Sequence, residues 1–332
     1  MKNKINVLIT GAGTATCQSI LKGFKQQDEV DVRTTTVDVN PDSAGRYFSN
    51  SFYTIPMAKE PNFLDELLSI CKKEKIQLLI PIVDYEFQKI ARNKNRFEEF
   101  GCKVSISSPE TISIFNEKDK TYKFFKENNI PTARTYSAEE LKHPKDLKYP
   151  LFMKPREGRA TLDVHKINNP QELEYYSSIC EDFIVQDFHS GKEFTIDSLA
   201  DFDGNVIEVL PRERIETKVG LSYKGITVKD DKMIQYGKLI MEKGKIIGHC
   251  NIQYFLTDNG PIFFEANPRY SGTLVLSLAA GFNSPLLLVK IVLGEKVKPR
   301  IGQFEDGVLM LRYWEEVFVG KDGKVKPIPK LM

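Results

Sequence analysis

Gln253, Glu265, Asn267 and Arg269 fall within one stretch, Gly248 to Gly272, that reads GHCNIQYFLTDNGPIFFEANPRYSG. Three oxygen-bearing side chains and an arginine can hold a hard cation with an anion beside it. Carboxylate and amide oxygens suit Mg²⁺, whose shell is usually completed by substrate phosphates. The stretch reads as a β-hairpin. Asn251 to Leu256 and Pro261 to Ala266 are strand-like, and Asp258, Asn259 and Gly260 are turn residues between them. The turn predicts a register with Gln253 opposite Glu265 and Asn251 opposite Asn267. Side chains two apart share a face, so Gln253, Glu265 and Asn267 point one way, and Ile262 and Phe264 the other. The competing reading is a polar solvent face on an amphipathic hairpin.

Other residues could meet an anion. Tyr149 to Lys154 reads as a strand, followed by a loop from Pro155 to Thr161 that contains Gly158. Lys154 at a strand end suits a phosphate contact, and loop N–H groups can cover phosphates. It could equally snorkel to solvent. Asn116 to Asn129, NEKDKTYKFFKENN, reads as a helix whose lysines are mostly a solvated face. Phe183 to Phe188 and Glu193 to Leu199 are strands joined by a turn at His189 to Lys192. Arg212 and Arg214 share a face if their segment is extended. Two arginines can cradle a phosphate or carboxylate, or can pair with Glu213 or Glu216 at the surface. Ile215 to Lys229 reads as irregular, and Thr217 to Lys229 as a lid or acceptor-binding loop.

The opening third must position a different site. Ile5 to Thr10 is a strand, GAGTAT a glycine turn, and Gln18 to Phe24 the start of a helix. Strands at Val32 to Val39, Gln77 to Val83 and Lys103 to Ile106 alternate with helices at Asn62 to Glu74 and Phe87 to Phe100. That alternation predicts a parallel sheet with helices on its faces. Gly11, Gly13 and Asp38 trace the outline of a dinucleotide site, which would make the protein a nicotinamide-dependent oxidoreductase. Thr16 stands where that pattern needs a third glycine. Gly11, Asp38 and Asp84 also sit at strand ends, where a small substrate can touch.

The 332 residues suggest two to three domains. A net charge of +2 gives no reason to expect nucleic acid or a membrane as partner. The five cysteines are scattered without a CxxC pair, which fits a reduced cytoplasmic setting and argues against a disulfide frame or a zinc site. No signal peptide is read at the N-terminus. Thr273 to Leu293 is the most apolar stretch, and Asn283-Ser284-Pro285 splits it into two buried helices rather than a membrane span. Gly307 to Val319 and the Asp322-Gly323 turn suggest a final strand pair.

Gln253 followed by a hairpin and Glu265-Ala266-Asn267-Pro268-Arg269 resembles the metal-binding end of the ATP-grasp superfamily. The likeness is strongest to the carbamoyl-phosphate synthetase large-subunit branch, as a single ATP-grasp unit. Tyr-Pro-x-x-x-Lys-Pro at 149–155 and Ile130-Pro131-Thr132 after a helix resemble further parts of that pattern, although the loop near Gly158 is poor in glycine. The resemblance implies an ATP-grasp fold, α/β turning α+β in the C-terminal part. It implies a Rossmann-like pre-ATP-grasp domain at 1–112, a small central subdomain at 113–184, a C-terminal subdomain with the metal site at 185–302, and a strand extension at 303–332.

The resemblance also implies cofactors and roles. ATP would be held by Lys118, Lys154 and Gly158. The backbone of Asp187, Phe188 and His189 would meet the adenine, and Glu193 the ribose. Mg²⁺, or Mn²⁺ in its place, would be bound by Gln253, Glu265 and Asn267. Arg269 would act on the transferring phosphoryl group, with Arg212 and Arg214 as further catalytic arginines. The implied activity is a ligase that turns a carboxylate into an acylphosphate, releases ADP and couples the acid to an amine. Both substrates would be small molecules, and a homodimer is common in the family. Carboxyphosphate or carbamoyl-phosphate chemistry on bicarbonate is one alternative, and a non-catalytic ATP sensor is another.

Overall fold

A computed structural model describes residues 2–156, 163–218, 220–313 and 315–326. The described residues form two compact units, one from 1–106, 270–298 and 309–332, the other from 107–269 and 299–308.

The first unit is built on five parallel strands: β1 (Lys4–Ile9), β2 (Asp31–Asp38), β3 (Ser51–Thr54), β4 (Leu78–Ile80) and β5 (Lys103–Val104), in the order β3-β2-β1-β4-β5. Val7, Leu8 and Ile9 of β1 are fully buried, as expected for a parallel strand covered on both faces. Helices α1 (Ala15–Lys25), α2 (Phe63–Lys73), α3 (Asp84–Arg92) and α4 (Lys94–Glu98) alternate with the strands. The Thr14 hydroxyl caps α1 by accepting from the Cys17 N–H at 3.1 Å. β3 is absent from the sequence reading because Ser51–Thr54 is short, half-buried and has no apolar run. The helix expected over 87–100 is two helices, broken at Asn93.

The glycine turn after β1 is filled by the chain itself. The Gly13 N–H donates to Asp38 Oδ2 at 2.7 Å, and the Gly45 N–H donates to the Ala12 carbonyl at 3.2 Å. A Cβ on Gly45 would lie 2.3 Å from that carbonyl oxygen, so only glycine fits there. Asp38, the ribose ligand of the dinucleotide outline, is instead the anchor of the turn.

Helices α10 (Leu274–Ala279) and α11 (Ser284–Val292) complete this unit, separated as the sequence predicts. Asn283 caps α11 and donates from Nδ2 to the Gly23 carbonyl of α1 at 2.8 Å. At the C-terminal end the expected strand pair is reduced to a short strand, Leu309–Leu311, and an isolated antiparallel bridge, Val319 to Val325.

The second unit opens with α5 (Pro109–Asn116) and α6 (Lys118–Glu127), where the sequence reading expects one helix from Asn116. Ser108 caps α5 with Pro109 at its first position. Glu117 is extended, at φ −99° and ψ 116°, and starts a new helix at Lys118. A short helix α7 (Ala138–Leu141) precedes a small antiparallel sheet. That sheet has β6 (Leu151–Pro155), β7 (His165–Ile167) and β8 (Phe183–Asp187) in the order β7-β6-β8, with α8 (Pro170–Ile179) between β7 and β8 in sequence. Leu151, Met153, Ile167, Leu173 and Val185 form its core, each contributing about 2 kcal/mol by burial.

The larger sheet is antiparallel: β9 (Lys192–Ala200), β10 (Val206–Lys218), β11 (Leu221–Thr227), β12 (Gly248–Thr257) and β13 (Gly260–Asn267), running β13-β12-β9-β10-β11. Helix α9 (Asp231–Lys243) packs on β9 and β10, and Gly237 permits the approach, since a Cβ there would meet Val209 Cγ1 at 2.6 Å. The stretch from 215, expected as irregular, is largely the β10–β11 hairpin. Gly220, at φ +75°, makes its tight return possible. Among the described residues no helix is long and apolar enough to cross a membrane.

Candidate active site

The β12–β13 hairpin has the expected register where it matters: Gln253 pairs with Glu265 and Asn251 with Asn267. The route to that register differs from the expectation. The turn has two residues, because Thr257 pairs with Gly260, and a β-bulge between Gln253 and Tyr254 restores the count. The bulge corrects the expected facing of Ile262 and Phe264. A regular strand would put Ile262 on the face opposite Glu265. With one extra residue, Ile262 pairs with Phe255, and Ile262, Phe264, Glu265 and Asn267 all line one cleft. Phe264 stacks on Phe255 with centroids 4.7 Å apart, while Phe263 is fully buried beside Tyr254 and Phe125.

Paired residues of an antiparallel sheet share a face. The polar face therefore runs across four strands, from Glu265 and Asn267 of β13 through Asn251 and Gln253 of β12 and Glu193 and Asp197 of β9 to Arg212 and Arg214 of β10. A continuous hydrogen-bond relay follows it. Arg214 Nη1 donates to Gln253 Oε1 at 3.2 Å, Gln253 Nε2 to Asn251 Oδ1 at 3.1 Å, and Asn251 Nδ2 to Asp197 Oδ1 at 3.1 Å. Arg212 closes it with two bonds to Asp197, 3.0 Å from Nε and 3.3 Å from Nη2. Asp197 and Asn251 are not among the candidate site residues of the sequence, although the hairpin register there places Asn251. Their signal was alternation, with polar residues at every second position of two neighbouring strands.

The cleft has a volume of about 730 Å³ and gathers most of the sequence-predicted residues: Lys118, Lys154, Glu193, Arg214, Gln253, Glu265, Asn267 and Arg269. Arg212 does not line the cleft. It is 1% exposed and bound to Asp197 behind the cleft wall, where an arginine on the same face as Asp197 finds a buried carboxylate before it finds solvent. Gly158 lies outside the described residues.

Lys154, one residue before the end of β6, is almost fully buried, and burial pushes its ammonium down from 10.5 to about 8; Glu265 opposes the shift and Lys118 adds to it. Lys118 begins α6, and both its N–H and its Nζ reach the Arg156 carbonyl, at 3.1 and 3.4 Å. The neighbouring Asp119 and Lys120 are engaged with other side chains. Lys120 Nζ is held by Glu117 at 2.6 Å and by Ser113 at 2.7 Å, and Asp119 pairs with Arg156 at 2.5 Å.

Asp187, Phe188 and His189 also line the cleft, but two of their backbone donors are committed. The Asp187 N–H donates to the Arg134 carbonyl and the Phe188 N–H to the Pro150 carbonyl. A base edge would meet the carbonyls of this segment and the N–H of His189, rather than those two donors. Gly191 lets the turn sit against β12, since a Cβ there would be 2.4 Å from the Leu256 carbonyl oxygen. Phe152 and Phe188, centroids 6.4 Å apart, supply apolar wall.

Glu265, Asn267 and Gln253 offer one carboxylate and two amides. That donor set suits a hard cation sharing phosphate oxygens with a ligand. Among the described residues no group of three His, Cys, Asp or Glu could hold a metal. Asn267 Nδ2 is buried without a hydrogen-bond partner among the described residues, and turning the amide over would present an oxygen there. Gln253 Oε1 already accepts from Arg214, which leaves one lone pair for a cation. The Arg269 carbonyl sits 3.2 Å from His249 Nδ1; a carbonyl only accepts, so Nδ1 carries the proton.

Residues 179–314 match a family model described as ATP-grasp in the biosynthetic pathway with Ter operon, and residues 7–105 match the PylC-like N-terminal domain. The C-terminal section of the carbamoyl phosphate synthase large chain of Methanocaldococcus jannaschii is 26% identical over 328 residues, covering 91% of this chain and 52% of that protein. The large chain of Clostridium acetobutylicum is 24% identical over 283 residues, 79% of this chain and 25% of that one. The chain thus spans about half the length of the first relative and about a quarter of the second.

Two solved structures share the fold. The biotin carboxylase domain of Hydrogenobacter thermophilus 2-oxoglutarate carboxylase, solved as a dimer with MgADP, ADP and bicarbonate, superposes with a TM-score of 0.73 at 16% identity, covering 92% of this chain and 73% of that one. N5-carboxyaminoimidazole synthetase of Staphylococcus aureus with ADP gives 0.70 at 16% identity, covering 92% and 81%.

Proposed function

We propose, for a chain that belongs to the ATP-grasp superfamily and carries a PylC-like N-terminal domain, an ATP- and Mg²⁺-dependent ligase that activates a carboxylate and joins it to an amine. The supporting observation is convergence: Lys118 of α6, Lys154 of β6, Gln253 of β12, and Glu265, Asn267 and Arg269 on and after β13 line a single cleft.

Lys118 and Lys154 bind the phosphate chain. Glu193 accepts from the ribose hydroxyls, and the apolar walls take the base. Arg269 faces the γ-phosphoryl group and stabilises the charge that builds there during transfer. A carboxylate oxygen of the acid attacks the γ-phosphorus, the bond to the β–γ bridging oxygen breaks, and ADP leaves with that electron pair. The amine nitrogen then attacks the acyl carbon, phosphate departs, and the amine proton passes to solvent. Mg²⁺, held by Glu265 and Asn267 with Gln253, neutralises phosphate charge when bound.

In this reading 1–112 is the pre-ATP-grasp domain, 113–184 and 185–302 the two grasp subdomains, and 303–332 an extension. Five free cysteines suit a reducing cytoplasm. A homodimer belongs to the same proposal, by likeness to the biotin carboxylase domain dimer. Bicarbonate as the acid is a second reading, favoured by the relatives named carbamoyl phosphate synthase.

The test combines a thermal melt with an ADP-release assay. MgATP should raise the melting temperature, EDTA should shrink the shift, and NADH should produce none. A ligand at a hundred times its Kd stabilises by about 2.7 kcal/mol. ADP release should depend on one acid of a screened panel, and bicarbonate dependence would select the second reading. Glu265→Ala should abolish release; full activity in that variant at saturating Mg²⁺ would sink the metal assignment. Tight MgATP binding without release under any acid and amine would leave a nucleotide sensor instead.

A further inference from the structure

Side chains two apart on a strand share a face, so His249 of β12 lies in line with Asn251 and Gln253. Gln253 pairs with Glu265 and Asn251 with Asn267, and the same register continued would set His249 opposite Arg269. The ladder stops short of that pair: its last step is Asn251 with Asn267. Pro268 follows, and a proline has no N–H for a ladder and a fixed φ. The Arg269 N–H turns back instead onto the Asn267 carbonyl at 2.7 Å. The carbonyl of the same residue is taken by a side chain, the Nδ1–H of His249, at 3.2 Å. An imidazole thus replaces the backbone ladder at the one step where the ladder ends.

The imidazole stands on a rigid base. On its other edge β12 is still paired with β9 here, Gly248 with Ala200 and His249 with Leu199. His249 is 2% exposed, and burial pushes its pKa down to about 4, against the pull of the Asp197 charge. It therefore donates as a neutral ring and adds no positive charge behind Arg269. His249 stands outside the cleft lining, whereas Arg269 is part of it, with Nη2 3.5 Å from Asn267 Oδ1. An arginine side chain is long, and where its guanidinium can reach depends on where its peptide is held. Charge stabilisation in phosphoryl transfer depends on donors fixed in advance, and a misplacement of about 1 Å can cost about a hundred-fold in rate.

We propose that His249 is a positioning residue: its Nδ1–H fixes the peptide of Arg269 and so holds the guanidinium at the γ-phosphate of the bound nucleotide, without touching the nucleotide itself. The effect on phosphoryl transfer rests on the proposed ligase reading; the effect on γ-phosphate binding does not.

The test compares two nucleotides on the full chain, by titration calorimetry with Mg²⁺. One is ADP. The other is the β,γ-imido analogue of ATP, which keeps the γ-phosphate. His249→Leu fills the buried space without a donor. It should weaken the analogue about ten-fold, the scale of a hydrogen bond lost to a charged group, and leave ADP within about two-fold. His249→Asn, whose amide nitrogen stands where Nδ1 does, should bring the analogue back to within about three-fold of wild type. If His249→Leu fails to fold, His249→Gln takes its place with the same expected loss, since its amide stands at the Nε2 position. Equal losses for the two nucleotides, no loss for either, or a loss that asparagine does not repair would each overturn the proposal, because a general disturbance of the sheet would act on both nucleotides. ADP release is measured alongside. Its kcat should fall about a hundred-fold in His249→Leu, further than analogue binding, because charge at the γ-phosphoryl group grows in the transition state. A wild-type protein that binds both nucleotides and releases no ADP with any acid removes the ligase reading, and the nucleotide comparison then decides the role of His249 by itself.

Discussion

Arg214 Nη1 lies 2.6 Å from Glu193 Oε1 and donates to it, while the same nitrogen reaches Gln253 and Nη2 reaches the Gly220 carbonyl at 2.6 Å. One guanidinium therefore ties two side chains of the cleft to the turn of the β10–β11 hairpin. These bonds hold Glu193 and Gln253 in place, and Arg214 itself lines the cleft.

The consequence is testable through Glu193. Burial raises its carboxyl above the usual range, the Arg214 charge counteracts that, and Glu265 reinforces it. Arg214→Ala should leave Glu193 buried without its cation and raise its pKa further. MgADP affinity should then fall about ten- to a hundred-fold, the range of a lost charged hydrogen bond of about 1.5–3 kcal/mol. The loss should deepen as the solution becomes more acidic. Arg214→Lys should recover part of it, since a single ammonium cannot reach both sides as the fork does. Titration calorimetry at two pH values measures both effects, and a pH-independent loss would mean that Glu193 does not meet the nucleotide.

Lys154 makes the opposite prediction at alkaline pH. Its ammonium is held down near 8 by burial, so it is charged below that pH and neutral above it. Phosphate binding needs the charged form. MgADP affinity should be flat up to about 8 and then fall, approaching about ten-fold per pH unit. Lys154→Arg stays charged throughout and should remove the bend. A wild-type profile without a bend would place Lys154 outside the phosphate contact.

The register and the convergence of Gln253, Glu265 and Asn267 were legible because they rest on alternation, and a two-residue turn plus a bulge sums to the same offset as a three-residue turn. Facing was legible only up to the bulge, which no local composition signals, so Ile262 and Phe264 were assigned to the wrong side. The expectation for Lys118 and Lys154 rests on a resemblance rather than on their surroundings, and both line the cleft. The burial of Lys154 and the mutual charge of the pair arise from elements far apart in sequence. The pairing of Arg212 was hidden for the same reason, since its partner, Asp197, comes fifteen positions earlier, on a neighbouring strand. β3 was invisible because four half-buried residues carry no periodic signal.

Stability should depend on pH through Glu86. This carboxyl is 3% exposed, and burial lifts it from 4.5 to about 7 against the opposing hydrogen bonds of Thr10 and Val83. Between those values the folded state holds a proton that the unfolded chain has released. Stability therefore falls as pH rises through this window, and the loss is complete above about 7. The full effect is about 3 kcal/mol, at 1.36 kcal/mol per unit. Glu208 is lifted to about 7 as well, so it adds a fall of the same sign. Glu86→Gln stays neutral and should reduce the drop in melting temperature between pH 5 and pH 8, leaving the Glu208 part. An identical drop in wild type and variant would show that Glu86 titrates normally.

The Arg212–Asp197 pair separates a structural arginine from a catalytic one. Both side chains are essentially inaccessible, and Asp197 also anchors Asn251, the next link toward Gln253. Removing one partner leaves an uncompensated buried charge, so Asp197→Ala should destabilise by about 3–5 kcal/mol. Replacing both, as Asp197→Leu with Arg212→Met, removes the charges together and often comes near to neutral. The double variant should thus melt well above Asp197→Ala. If Arg212 only braces the sheet behind the cleft, the double variant should also keep MgADP affinity within about three-fold, with the remainder reflecting the lost anchor for Asn251. A double variant that regains stability but loses phosphoryl transfer entirely would return Arg212 to the reacting groups. In that case the guanidinium would have to leave Asp197 when substrates bind, and Arg212→Lys would be expected to slow turnover without changing the melting temperature of the nucleotide-free protein.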